Sequence, residues 1–435
     1  RDNIQNDDHL QLLIDPFNDG RRALVFGVNP LGVQADGMRI ERGVQSSSST
    51  KGVTSPVDLA PDFLYDSRGR ITDFGYAVEI RIPFKSLSFQ PQETQDWGIN
   101  VIRRVQHSGR EQTWTPVQQG RASFLAQGGT LHDLQGFERG LVLDFNPVVT
   151  MSVNGTSNPT GWDYDASTPE LGGNVRWGLT SNLTMNGTVN PDFSQVEADQ
   201  QQINLTRFPL FFPEKRDFFL ENATMFQVKR EGRAFRSRSR DLIAFFSRRI
   251  GLDQGRVIPI LGGIRLTGRM DRYRLGLLSI QTDDLEELPS TNFSVVRVRR
   301  DLFRSSDVGG IFINKQSDGG NYNRTFGVDG HFQFFKHLEI ASLLLKTDTP
   351  GLEENDTSFD AFVGWEDDRY KIEADYLSIE DNFNPEVGFV RRTGIRKSRG
   401  EFNLKFWPRE EVSWIRQITP STGIEYISDQ ENRVK

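Results

Sequence analysis

Between residues 258 and 418 the chain repeats one device, two alternating runs joined by a tight turn. Runs 264–269 and 273–280 flank a turn at 270–272, and 295–303 and 308–314 flank 304–307. Runs 326–334 and 338–345 flank 335–337, and 359–365 and 370–377 flank 366–369. A last pair, 402–406 and 414–418, flanks 408–412. Longer polar stretches at 283–291, 316–323 and 347–357 separate the pairs. Short turns alternating with long polar loops are the pattern of an outer-membrane meander, with the turns toward the periplasm and the loops outside.

The alternation has a chemical sense. Phe359, Ala361, Val363 and Trp365 share one face of their run, opposite Asp360 and Gly364. Tyr370, Ile372, Ala374 and Tyr376 likewise oppose Lys371, Glu373 and Asp375. A soluble sandwich also alternates, so period alone does not decide. Strand number does: about fourteen strands in one run exceed a usual sandwich, and closure into a barrel removes the exposed edges. Mean hydropathy is −0.52, and no run of about 18 apolar residues offers a transmembrane helix. A strand-built barrel needs neither, because half its positions face a wet lumen.

Residues 1–138 read differently, as a β-sandwich of short strands and turns. Runs 9–15 and 22–28 flank Asn18, Asp19 and Gly20 as a hairpin, 75–82 alternates and stops at Pro83, and 97–105 is a further strand. Residues 13–36 and 75–89 (the latter GYAVEIRIPFKSLSF) resemble the carbohydrate-binding family 9 sandwich. The resemblance narrows to the version that precedes an uncharacterised bacterial outer-membrane barrel family. It implies aromatic rings that stack on sugar and a supporting calcium. The candidates are Trp97, Trp114 and Tyr76 for a glycan, and Asp15, Asn18 and Asp19 for calcium. Core packing competes for the aromatics, and Asx-type turn chemistry for the acids. Arg103, Arg104 and Glu111 are expected to pair on a solvated face.

Residues 139–435 are assigned to the barrel. Within them 190–222 reads NPDFSQVEADQQQINLTRFPLFFPEKRDFFLEN. Acids and bases are interleaved with phenylalanines, and Pro209 and Pro213 each remove a ladder donor. This segment resembles the signature of the same barrel family. Its expected role is an inward fold whose rings pack while Asp192, Glu197, Arg207, Glu214, Lys215, Arg216 and Glu221 form a charge network in the lumen. The opening strands of the sandwich are expected to be missing, because the chain starts abruptly at Arg1. The barrel is expected to be incomplete at its C-terminus, because the chain ends DQENRVK without a terminal aromatic.

The fold class is thus all-β, a sandwich followed by a transmembrane barrel. The function expected is a non-enzymatic outer-membrane component for binding, transport or assembly. Its partners would be outer-membrane lipid, a glycan and other proteins of a membrane assembly. The sandwich would be periplasmic or lumenal. The alternative is a glycan-active hydrolase built on acids such as Glu214 and Glu221, or Asp192 and Glu197. Neutralisation by neighbouring bases competes with that reading. No nucleophile elbow, zinc motif or P-loop is present. The chain has no cysteine, so no thiolate metal site forms, and no cofactor is expected beyond a structural calcium. A net charge of −7 argues against nucleic acid.

Overall fold

The structure, a computed structural model, describes residues 3–434 except 21, 41–56, 59–61, 90–91, 119–123, 138–141, 152, 160, 167–168, 181, 192–207, 229–240, 254–255, 304–305, 336 and 408–416.

Nine strands build the N-terminal unit. They are β1 (His9–Asp15), β2 (Arg22–Val28), β3 (Gln34–Ile40), β4 (Val57–Asp58), β5 (Asp66–Thr72), β6 (Gly75–Arg81), β7 (Thr94–Val105), β8 (Arg110–Thr113) and β9 (Gly129–Gln135). One antiparallel sheet runs β4-β3-β2-β1-β7-β8, with β9 also on β7, and β5-β6 form a separate hairpin. Val78 and Ile80 of that hairpin pack on Ile14, Phe26, Val28 and Trp97, which closes the sandwich. Burying each such side chain stabilises by roughly 1.5–3 kcal/mol. The β1–β2 turn follows from its sequence. Asn18 and Gly20 hold positive φ (48° and 65°), and the Asp15 carboxylate accepts the amides of Phe17 at 3.1 Å and Gly20 at 2.8 Å.

The second unit opens with β10 (Leu143–Thr150), a projecting hairpin of β11 (Val153–Asn158) and β12 (Gly161–Ala166), then β13 (Glu170–Thr180) and β14 (Leu183–Val189). A long connection carries the one-turn helix α1 (Asp217–Leu220) and the short strands β15 (Leu242–Ile243), β16 (Leu252–Asp253) and β17 (Arg256–Val257). The meander follows as β18 (Ile260–Met270), β19 (Tyr273–Thr282), β20 (Thr291–Leu302), β21 (Ser306–Ser317), β22 (Tyr322–Phe334) and β23 (Leu338–Asp348). It ends with β24 (Thr357–Glu366), β25 (Tyr370–Ile379), β26 (Phe389–Val390), β27 (Ile395–Leu404) and β28 (Ser421–Ser428). Thirteen of these strands form one antiparallel sheet, β10-β13-β14-β18-β19-β20-β21-β22-β23-β24-β25-β27-β28.

Four tight turns fall where the alternation places them; β18 and β19, for example, close at Met270↔Tyr273. The expected long loops are shorter, because strands run into them. Thr291, Ser317 and Thr347 look like loop residues in sequence but belong to the ladder. Their polar side chains suit an inward-facing position. The last hairpin is shifted: its strands are β27 and β28 rather than 402–406 and 414–418, and most of the latter run lies outside the described residues. Among the described residues β10 and β28 are each paired on one side only. The alternating directions make both run from the short-turn end to the long-loop end.

The outer face of the sheet is apolar, and its inner face carries charged and polar residues on either side of an apolar middle band. Val296 and Val298 on β20, Phe326 and Val328 on β22, and Leu344 on β23 are exposed. Between them Arg297, Asp329, Thr325, Glu339 and Thr347 are buried. Exposed aromatics gather near the short turns, among them Tyr273, Phe334, Phe335, Tyr370 and Trp407. A soluble protein covers or breaks up an apolar face of this extent, and this wall leaves its outer face apolar and exposed. Lipid on the outer face, with an aromatic girdle at the interface, is the solvent that makes this arrangement stable.

Candidate functional site

The interior is layered along the barrel axis, and each layer follows from inward positions on successive strands. Nearest the short turns lies a chain of ion pairs. Arg297 meets Asp329 at 2.6 Å, and Arg299 meets Asp329 at 3.0 Å and Asp307 at 3.4 Å. Arg274 bridges Asp307 at 3.2 Å and Asp301 at 2.7 Å. Arg269 joins Asp301 at 3.1 Å to Asp19 of the sandwich at 2.5 Å. The sandwich therefore sits at the short-turn end. Buried charges are tolerable only when paired in this way.

The middle layer is apolar. Ile280, Val295, Ile311, Ile313, Leu343 and Leu345 line the wall. A plug made of two inward segments packs against them. One is the β14–β18 connection, with Phe219, Phe226, Val228, Ala244 and Ile250; the other is the β25–β27 connection, with Phe383 and Val387. The two are joined by the β15–β26 pair, Leu242↔Val390 and Ile243↔Phe389. Gly276 lets the Phe226 ring lie on the wall, since a Cβ there would come within 3.0 Å of the ring.

The plug is pinned by charge as well as by packing. Glu214 binds Arg216 at 2.7 Å and accepts from Ser247 Oγ at 2.7 Å. Arg216 also donates to the carbonyls of Ile250 and Ser247. Burial alone would raise the Glu214 carboxyl, but the Arg216 contacts outweigh it and hold it below the usual range. The Lys215 amide donates to Glu214 at 3.0 Å. Glu221 is held by Arg265 at 2.9 Å, Arg176 at 3.3 Å and Asn186 at 2.7 Å. Glu214 and Glu221 thus serve separate clusters and do not face each other as an acid pair. Asp192, Glu197 and Arg207 lie outside the described residues. Sequence reasoning misses Arg176, Arg265 and Ser247. The available signal is alternation: Arg265 stands between outward Ile264 and Leu266.

The sandwich candidates separate. Trp97 is 3% exposed and stacks on Phe137 with centroids 5.1 Å apart, so it is core. Tyr76 sits under Arg103, 5.9 Å from ring centre to guanidinium, with its hydroxyl buried. Trp114 is 65% exposed. Arg104 and Glu111 pair at 2.9 Å near the surface. Asp15 is spent on the turn amides and Asp19 on Arg269. Among the described residues no group of three acids or histidines is arranged for a metal.

At the long-loop end the interior opens into a cavity of about 610 Å³. Its walls come from the plug, the β19–β20 loop and the β25–β27 connection, with Arg249, Arg391 and Arg392 among its lining. The loop at 384–386 is fixed there by Asn323, which donates to the Asn384 carbonyl at 2.7 Å and accepts the Glu386 amide at 3.1 Å.

An antiparallel meander with apolar residues outward and ion pairs inward is the wall of a membrane β-barrel of the outer-membrane type. Residues 140–257, which span the first wall strands and the inward connection as far as β17, match a domain of unknown function, DUF5916. No curated protein matches the chain. Among solved structures, Pseudomonas aeruginosa OpdL is similar at 8% identity, covering 97% of this chain and 81% of that one, with a TM-score of 0.28. Pseudomonas aeruginosa OccK2 (OpdF) in complex with glucuronate is similar at 10% identity, covering 97% and 92%, with a TM-score of 0.28. A BenF-like porin from Pseudomonas fluorescens Pf-5 is similar at 10% identity, covering 96% and 92%, with a TM-score of 0.25. The inside-out residue pattern, not these likenesses, defines the class of protein.

Proposed function

We propose that the chain is part of an outer-membrane barrel that binds and admits small solutes without chemically changing them. The observation that carries this reading is the inverted wall, apolar toward lipid and charged toward a lumen. The plug and the cavity above it make that lumen selective, because a solute entering from the long loops meets a shaped polar chamber before the packed layer. Short turns face the periplasm in barrels of this kind, so the sandwich is assigned to the periplasmic side as a base for the barrel or a contact for other proteins. Of the three sandwich aromatics, Trp114 is the one that presents an open ring to a glycan.

The test is conductance. The full chain, folded in detergent and shown to migrate differently before and after boiling, is added to a planar lipid bilayer. Discrete conductance steps and swelling of liposomes in small sugars or acids are expected. A protein that extracts without detergent, or a folded barrel that passes neither ions nor solutes, would sink the reading.

A further inference from the structure

Among the described residues, the cavity at the long-loop mouth is lined by more cations than acids. Four cations line it, Arg249, Lys315, Arg391 and Arg392, against two acids, Asp253 and Glu386. Both acids are engaged: Glu386 takes Lys315 at 2.7 Å, and Asp253 takes Arg256 at 3.6 Å. Arg391 lies over the Phe208 ring, 4.4 Å from its centre. Among the described residues Arg249, Arg391 and Arg392 have no ion-pair partner. Arg249 is exposed and Arg391 and Arg392 are half-buried, so their guanidiniums are within reach of a solute, and the planar fork of arginine matches a carboxylate with two parallel hydrogen bonds. The remaining wall includes Leu252, Ile258, Leu288 and Val390, all half-buried and so with apolar surface toward the cavity. A bare, strongly hydrated anion gains nothing from those side chains, whereas an apolar body does.

We propose that this cavity is a binding site for a small organic carboxylate, its acid group held by Arg249, Arg391 and Arg392 and its apolar body against Leu252, Ile258 and Leu288. This rests on the reading of the barrel interior as a solute route, which it deepens by naming the solute class. The cavity volume suits one molecule of this kind, since small-molecule sites run from about 300 to 1,000 Å³. Among the described residues Arg249 and Arg392 have no ion pair to give up on binding, so their charge can discriminate between solutes.

The experiment measures binding directly, apart from transport. The full chain in detergent micelles is titrated by calorimetry with cyclohexanecarboxylate, with cyclohexylmethanol as its neutral counterpart, and with inorganic phosphate; empty micelles are the blank. Saturable carboxylate binding is expected, at least tenfold tighter than the alcohol and than phosphate. The double variant Arg249→Gln, Arg392→Gln should keep its heat-modifiable migration and lose at least tenfold in carboxylate affinity. Equal binding of the alcohol, phosphate binding as tight as the carboxylate, or an unchanged double variant overturns the proposal. The comparison of the three compounds on the unmodified protein needs no variant, so misfolding of the double variant leaves the test intact. A barrel that conducts yet binds no carboxylate overturns this site and leaves the channel reading standing. Carboxylate binding by a barrel that does not conduct does the opposite.

Discussion

Arg269 on the barrel strand β18 and Asp19 in the first turn of the sandwich stand 2.5 Å apart, and their contact ties the two units together. The Arg269 guanidinium also lies over the Phe17 ring, 4.7 Å from its centre. Arg269 passes the link on to Asp301. An ion pair largely withdrawn from water costs several kcal/mol to break from one side, because the remaining charge stays buried. Asp19→Asn should therefore loosen the sandwich from the wall. Hydrogen exchange of the β1 and β2 amides should speed up several-fold while exchange in β20–β23 stays unchanged. No change at β1 and β2 would mean the contact does not hold the units together.

Asp15 gives that junction a pH dependence. Burial first, and then the neighbouring Asp19 charge, push its carboxyl up to about 7, against the pull of the Gly20 and Phe17 amides and of Arg22. A raised carboxyl favours its protonated form in the fold. The stability this lends is fully present below the ordinary value of 3.8 and is lost as pH rises through about 7. Each pK unit is worth about 1.4 kcal/mol, so the loss is at most roughly 4 kcal/mol. Thermal melting of the sandwich should therefore fall between pH 5 and pH 8. Asp15→Asn should flatten that fall; an equally steep fall in the variant would show that another group titrates.

The ion chain inside the wall leaves no room for an added methyl at one point. A Cβ at Gly309 would lie 2.5 Å from Arg297 Nη1, and Arg297 is 1% exposed and bound to Asp329. Gly309→Ala should displace the guanidinium and destabilise the barrel by roughly 1–3 kcal/mol, the range for overpacking a filled interior. Gly310→Ala, whose nearest neighbour to an added Cβ is 3.7 Å away, is the control. Urea unfolding from vesicles, followed by the loss of heat-modifiable migration, separates the two; equal midpoints would refute the argument.

Local and long-range features differ in how far the sequence reveals them. Tight turns and alternation are local, so the meander from β18 to β25 and the outward set of Val363, Ile372 and Tyr376 are legible in the sequence. The hairpin at Asn18 and Gly20 is legible for the same reason, through residues that accept positive φ. The interior is less so. Glu214 and Arg216 are neighbours in sequence, but Glu221 finds Arg176 and Arg265 on two different wall strands, β13 and β18. The plug depends on β15 meeting β26, far apart in the chain. Sheet register places such partners, and period alone does not say which strand lies beside which.

The inverted wall makes the last prediction, and it concerns lipid. Val296 faces outward on β20, beside the inward Val295 and Arg297. In a soluble protein Val296→Arg would be nearly neutral, since the site is exposed and arginine is well solvated. In a bilayer the same change places a charge among acyl chains, at about 2–4 kcal/mol near the midplane and less toward either interface. Arginine in place of Tyr273, at the short-turn end of β19, should then cost no more than about 1 kcal/mol. The measurement is reversible folding into lipid vesicles against urea, for the wild type and the two variants. A midpoint lowered strongly for Val296→Arg and weakly for Tyr273→Arg fits a wall immersed in lipid. Equal, small effects at both sites would show that the outer face meets water or another protein, and the membrane assignment would fall with them.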